Sequence, residues 1–196
     1  MIVFLEGTIE EKNPAFVVVN CNGIGYGLHI SLHTYSKLPD LGKVKILAYQ
    51  VIREDAHLLF GFADKEEREL FKLLISVSGI GPNTARMILS SMNPAELKSA
   101  IAHNNISRLQ SIKGIGAKSA QRLVVDLRDK IEKEVILKDD FLGFSNNTAQ
   151  TEALSALVML GFAKPAAQKV LAAILKQKQG EPISTEDLVK EALKSF

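Results

Sequence analysis

Tryptophan is absent from these 196 residues, and cysteine occurs once, at Cys21. A lone cysteine excludes a disulfide framework and a cysteine-based metal site. Its simplest role is that of a small buried apolar residue in a strand. The four histidines, His29, His33, His57 and His103, are scattered without metal-ligand spacing. No nucleophile–base constellation stands out, so no catalytic residue, metal or cofactor is expected. No apolar run reaches the ~18–20 residues that a membrane span needs. The opening "MIVFLEGTIEE" is apolar but broken by acids, and it lacks a basic start and a small-residue cleavage site. A cytoplasmic location without membrane contact is the expectation. A net charge of +2, with 46% hydrophobic and 23% charged residues, fits ordinary globular material of one to three small domains.

Acidic residues are also scarce in one stretch. Residues 76–122 hold Arg86, Lys98, Arg108, Lys113, Lys118 and Arg122 against only Glu96. Residues 1–63, by contrast, hold five basic and six acidic side chains. The basic stretch contains an internal repeat. "SGIGPNTA" from residue 78 returns as "KGIGAKSA" from residue 113, an offset of 35. Coincidence of a repeat with a charge surplus points to a polyanion partner.

The chain divides into an α+β multidomain arrangement. Residues 1–63 read as about five strands: "AFVVVNC" is β-branched, "NG" at Asn22-Gly23 marks a tight hairpin, and "KVKILAYQVI" alternates. No helical period persists there, and a small closed OB-fold barrel is the expected form. From residue 64 the period changes. Asp64 with Glu67 is a capping-box-like start, and Leu70, Phe71, Leu74 and Val77 follow at helical spacing. Residues 64–136 read as about five helices organised as the repeat. Residues 137–150 gain Asn, Ser, Thr and Gly and read as a flexible linker. Residues 151–196 read as three helices, with a capping box at Ser184–Asp187. "MLGF", with Gly161-Phe162, resembles the loop of ubiquitin-associated domains.

Two nucleotide-binding patterns fail on the repeated loop. A phosphate-binding Walker loop needs Lys directly after its last Gly, and Ala117 stands between Gly116 and Lys118. A dinucleotide fingerprint needs a preceding strand and a third Gly, and both are lacking. A pair of helix–hairpin–helix turns fits better. Gly79, Gly81, Gly114 and Gly116 permit positive φ and leave backbone amides uncovered ahead of a helix N-terminus. Such a loop binds phosphate without reading bases. Two copies match the two backbones of a duplex.

This order of elements, with "VIREDAHLLFGF" between barrel strands, resembles the RuvA family of Holliday-junction-binding subunits over the whole chain. The resemblance implies a homotetramer, or an octamer, that holds a four-way DNA junction open without catalysing a reaction. It implies DNA contacts at Gly79, Gly81, Asn83, Gly114, Gly116, Lys118 and Arg122. Asn83 departs from the family pattern, where many relatives carry Lys, so the first hairpin is expected to grip less strongly. It also implies an acidic pin at Glu54 and Asp55, with Arg53 offsetting their charge. The tail is expected to recruit a RuvB-type hexameric ATPase through apolar residues around Leu157, Leu160 and Phe162, with a RuvC-type resolvase in the same complex. Those apolar residues also suit the tail's own core.

Two other classes compete. A helix–hairpin–helix glycosylase or nuclease places an Asp beyond the hairpin, and Asp126 is available, but Arg122, Arg128 and Lys130 surround it. Aromatics are sparse over residues 76–136, which disfavours a base-stacking pocket. A general single-strand DNA binder using the barrel would stack bases on Phe16, Tyr26 and Tyr49, residues that suit a core better.

Overall fold

The computed structural model describes residues 1–143, 148–177 and 183–196. They form two compact units, Met1–Glu134 and Val135–Phe196. In the first unit, five strands, β1 (Phe4–Asn13), β2 (Phe16–Cys21), β3 (Ile24–Ile30), β4 (Gly42–Ile52) and β5 (His57–Phe62), close in the order β1-β2-β3-β5-β4. The β3–β5 pair is parallel and the others are antiparallel. Alternation drives closure: Val17, Val19, Leu28, Ile46 and Ala48 point inward and are buried. Asn22 and Gly23 turn the β2–β3 hairpin with φ of 52° and 87°, as the Asn-Gly pair requires.

Helix α1 (Leu32–Lys37) sits between β3 and β4. The sequence reading missed it, because six residues are too few to show a helical period. Ser31 caps it by accepting from the Thr34 amide.

Helices α2 (Lys65–Ile75), α3 (Pro82–Ser91), α4 (Pro94–Ala102), α5 (Ile106–Gln110) and α6 (Ala117–Gly143) follow. Asp64 caps α2 from the Glu67 amide. The reciprocal half of that box is missing, because the Glu67 side chain is engaged elsewhere. A complete capping box instead opens α4, between Asn93 and Glu96. The barrel interior is one core, and a second joins β5 to the helices. The Phe71 ring of α2 lies 5.0 Å from both Phe60 and Phe62 and 5.6 Å from Tyr49. The 63/64 boundary is therefore one of topology, and hydrophobic packing is continuous across it.

Of the expected linker, residues 137–143 continue α6 and residues 148–150 open the next helix, while 144–147 lie outside the described residues. Neither Gly nor Pro interrupts α6 before Gly143. In the second unit, α7 (Thr148–Met159), α8 (Lys164–Gln177) and α9 (Thr185–Ser195) pack around Ala153, Leu157, Leu171 and Leu188. The chain leaves α7 at Gly161, with φ of 100°. The Phe162 amide donates to Leu157 O and the Gly161 amide to Val158 O, a Schellman stop. Ser184 caps α9. Its hydroxyl, not its amide, meets the Asp187 carboxylate, since Asp is one methylene shorter than Glu.

Candidate nucleic-acid interface

The two loops are near copies in three dimensions. Gly79 and Gly114 have φ of 89° and 91°, a region that side chains with a Cβ rarely adopt. The Ile80 amide donates to Val77 O at 3.0 Å, and the Ile115 amide to Ile112 O at 3.1 Å. Ser76 and Ser111 each donate a hydroxyl to the carbonyl three residues back. Buried pairs also repeat at the offset of 35: Val77 with Ile112, Ile80 with Ile115, and Ala85 with Ala120.

Gly81 is different in kind. Its φ of −83° suits any residue, and a Cβ there would meet nothing within 4 Å. Gly116 likewise has open space around it. Neither glycine is demanded by packing within this chain. Both stand at the start of a helix, where the first amides lack intrahelical partners, and Gly81 brings no side chain to cap them. The absent side chain leaves the backbone open to close approach by an anion.

The first turn also faces α6. Ser78 and Gly79 of the first hairpin line an open cleft of about 430 Å³ with Lys118, Ser119, Gln121, Arg122 and Val125 of α6. Lys130, further along α6, brings its Nζ to 3.5 Å from Ser76 Oγ. Sequence reasoning found Lys118 and Arg122 here and missed Gln121, Val125 and Lys130. Their place beside the first turn depends on how α6 runs past it. Asn83 is exposed on the first turn of α3.

The basic surplus is less uniform than its sequence suggests. Arg86 is turned onto backbone carbonyls of the barrel. Lys98 lies 2.6 Å from Glu66, and Arg108 lies 3.1 Å from Glu96. Only part of the charge surplus of 76–122 is therefore left to meet a polyanion. Among the described residues, the repeat-associated cations without such engagements are Lys113, Lys118 and Arg122, all on the second hairpin and all exposed.

Glu54 and Asp55 occupy the tip between β4 and β5, closed by the Arg53 amide donating to Ala56 O at 2.8 Å. All three side chains are exposed. Among the described residues no ion pair neutralises either carboxylate, and Arg53 makes none with them.

A second polar cluster lies where the barrel meets α2. His33, Asp64 and Glu67 come within 4.8 Å of one another, although the sequence scatters them. Their donor atoms are already engaged. Asp64 accepts from Lys37 Nζ at 2.8 Å, from His33 Nε2 at 3.2 Å and from the Glu67 amide at 2.8 Å. Burial raises the Asp64 pKa, but these hydrogen bonds outweigh it and the net shift is downward. Fully buried Glu67 accepts from the hydroxyls of Ser31 and Thr34. Desolvation pushes its carboxyl above the usual range, against the pull of those two hydroxyls. With Lys37 on Asp64 and the Ser31 and Thr34 hydroxyls on Glu67, the cluster acts as a brace between α1 and α2.

Other expected residues separate by burial. Tyr49 packs against Phe71 in the core, whereas Phe16 is half-buried on the outer face of β2, with its ring 5.4 Å from His29. Tyr26 is partly buried against the barrel interior. Asp126 is exposed on α6. Leu157 is fully buried in the second unit and is not surface, which corrects its place among partner-facing residues. Phe162 is half-buried and stacks on Phe196 at 4.1 Å. Leu160 is 60% exposed, next to Met159 at 89%, a neighbour that the sequence reading did not single out. Among the described residues, no helix is long and apolar enough to cross a membrane.

Comparison with known proteins covers each part of this architecture. Residues 1–61 match the model of the RuvA N terminal domain, residues 71–129 that of the SAM-like helix-hairpin-helix tandem, and residues 148–195 that of the RuvA C-terminal domain. The Holliday junction branch migration complex subunit RuvA of Cytophaga hutchinsonii is 51% identical, with 99% of each chain covered. The protein of the same description from Christiangramia forsetii is 51% identical over the whole of both chains, and that from Bacteroides fragilis is 49% identical over 99% of each. Barrel, paired hairpins and three-helix unit are thus matched in order and at full length, and the chain belongs to the RuvA family.

Proposed function

We propose that this protein binds four-way Holliday junctions as a non-catalytic subunit of a cytoplasmic branch-migration complex. The observation that carries the reading is the doubled turn. Two loops share matching φ values, and Gly79 of the first lines one cleft with Lys118 and Arg122, which follow the second. Gly79, Gly81, Asn83, Gly114, Gly116, Lys118 and Arg122 make the DNA contacts in this reading, through amides and cations that recognise phosphate without base identity.

Glu54 and Asp55 are the acidic pin. A carboxylate about 6 Å from a phosphate is disfavoured by roughly 3 kcal/mol at an effective dielectric near 20, before salt screening. At a junction centre this repels unbroken duplex and favours separated arms, with Arg53 limiting the local repulsion. The functional division is a pin-bearing barrel over 1–63, a DNA-binding pair of hairpins over 64–136 and a partner-binding module over 151–196, joined through 137–150. Leu160, with Phe162 behind it, faces a RuvB-type hexameric ATPase, and a RuvC-type resolvase joins the same complex. One chain offers few phosphate contacts, so a homotetramer, or two stacked, is needed for tight binding.

The test is a titration of a synthetic four-way junction against linear duplex and single strand of matched length, at several salt concentrations. A strong junction preference with intact DNA is expected, with affinity falling steeply as salt rises. Equal affinity for linear duplex, or strand cleavage or base release, would overturn the reading.

A further inference from the structure

The repeat treats one of its positions in two ways. Arg86 on α3 corresponds, at the offset of 35, to Gln121 on α6. Gln121 is exposed and lines the cleft. Arg86 faces the other way. Its Nη1 donates to Ala15 O at 3.0 Å and to Ile30 O at 3.4 Å. Those carbonyls lie at one end of the barrel, where Ala15 O also accepts from the Ile30 amide at 3.1 Å.

One turn further along α3, Ser90 Oγ accepts from the Leu32 amide at 3.1 Å and donates to Arg86 O at 2.9 Å. Helix α3 is therefore fastened to the barrel at two successive turns. Helix α2 is fastened independently, through Glu67 to Ser31 and Thr34. Among the described residues, no side-chain hydrogen bond joins the second hairpin, α5 and α6, to the barrel. Arg86 Nε is also excluded from solvent and has no partner. An orphaned buried donor is unfavourable, and the conformation persists because the guanidinium fork is held by the barrel carbonyls.

We propose that Arg86 is a positioning residue: it locks the first hairpin to the barrel, so that the Glu54–Asp55 tip and the two hairpin turns meet the junction in one register, and it makes no phosphate contact. This inference rests on the junction-binding reading. A rigid frame discriminates DNA shapes because a misplaced pin repels linear duplex less selectively, whereas overall affinity follows the number of phosphates neutralised.

The experiment measures junction and linear-duplex affinities of the full chain across a salt series, for the parent, Arg86→Gln and Ser90→Ala, with melting temperatures in the same buffers. Ser90→Ala leaves all charges in place and removes the contacts to the Leu32 amide and to Arg86 O. For Arg86→Gln the expected result is a junction-over-duplex ratio at least tenfold lower, with an unchanged slope of log affinity against log salt on linear duplex. Ser90→Ala is expected to move the ratio the same way by a few-fold, again at constant slope. A slope reduced by about 0.9 in Arg86→Gln would identify a phosphate contact and overturn the proposal. An unchanged ratio in a folded Arg86→Gln protein would overturn it as well. If Arg86→Gln fails to fold, Ser90→Ala decides, and an unchanged ratio there overturns the proposal. A parent with no junction preference overturns the functional reading and this inference together, whereas a parent with preference and variants that retain it overturn only the inference.

Discussion

Glycine identity has two separate causes in the paired turns, and they predict different phenotypes. At Gly79 and Gly114 the backbone itself requires positive φ. Gly79→Ala and Gly114→Ala should each lower stability by about 1–2 kcal/mol, read by urea unfolding. At Gly81 the backbone is ordinary and the space is open. Gly81→Ala should stay within about 0.5 kcal/mol of the parent in stability and still weaken junction binding, because its methyl group occupies the approach path. A Gly81→Ala protein that binds as the parent does would remove close approach as the reason for that glycine. Glu67 makes a second residue-level case. Its folded pKa lies above the ordinary 4.5, so its contribution to stability is complete below that value and is lost as pH rises through the raised one. Glu67→Gln is neutral throughout and keeps an acceptor for Ser31 and Thr34. Its melting temperature relative to the parent should therefore climb as pH rises above about 4.5. A difference that is flat with pH would show that Glu67 carries no raised pKa. The sequence marked Glu67 only as a capping residue, because its true partners lie more than thirty positions away.

At the level of elements, the hairpins are alike in backbone and unlike in charge. The second carries Lys113, Lys118 and Arg122. The first carries Asn83 and Met87 where its partner has Lys118 and Arg122, and its Arg86 faces the barrel. Lys118→Ala and Arg122→Ala should each reduce the salt slope of duplex binding by about one. Asn83→Lys should raise the slope by a similar amount and tighten binding. Slopes that do not respond to Lys118→Ala or Arg122→Ala would exclude these cations from the phosphate contacts. The turns and the apolar periodicity of α2 to α6 were legible because Gly-Ile-Gly and helical spacing are local signals. Helix α1 was not, since a six-residue helix is specified by its cap and its neighbours rather than by a period. Helix α6 runs into the expected linker because Leu137 to Leu142 hold no Gly or Pro, and Leu and Lys are good helix formers although Asp139 and Asp140 are not.

In the molecule as a whole, acidic tip and paired turns belong to one compact unit, joined through the Phe71 cluster and two polar braces. Charge at the tip should then affect shape discrimination more than affinity. The double variant Glu54→Gln, Asp55→Asn should bind linear duplex more tightly, because two repulsive charges are gone. Its junction-over-duplex ratio should fall accordingly. Stability should hardly change, since both side chains are exposed and unpaired among the described residues. An unchanged duplex affinity in competition titrations would show that the tip lies away from the DNA. The same continuity predicts that barrel and hairpins unfold together.

Local order determined a great deal here. Alternation, the Asn-Gly turn, the repeated glycines and the caps each act over a few residues, so the strand and helix inventory, the doubled loop and the three-part order were set by the chain itself. Tertiary structure alone decided which charges remain available. Arg86, Lys98 and Arg108 are indistinguishable in sequence from Lys118 and Arg122, and only folding turned the first three onto carbonyls and carboxylates. It also drew His33, Asp64 and Glu67 into one brace and placed Lys130 beside the first turn. Such contacts depend on where distant backbone segments come to lie, and no short-range pattern encodes that distance.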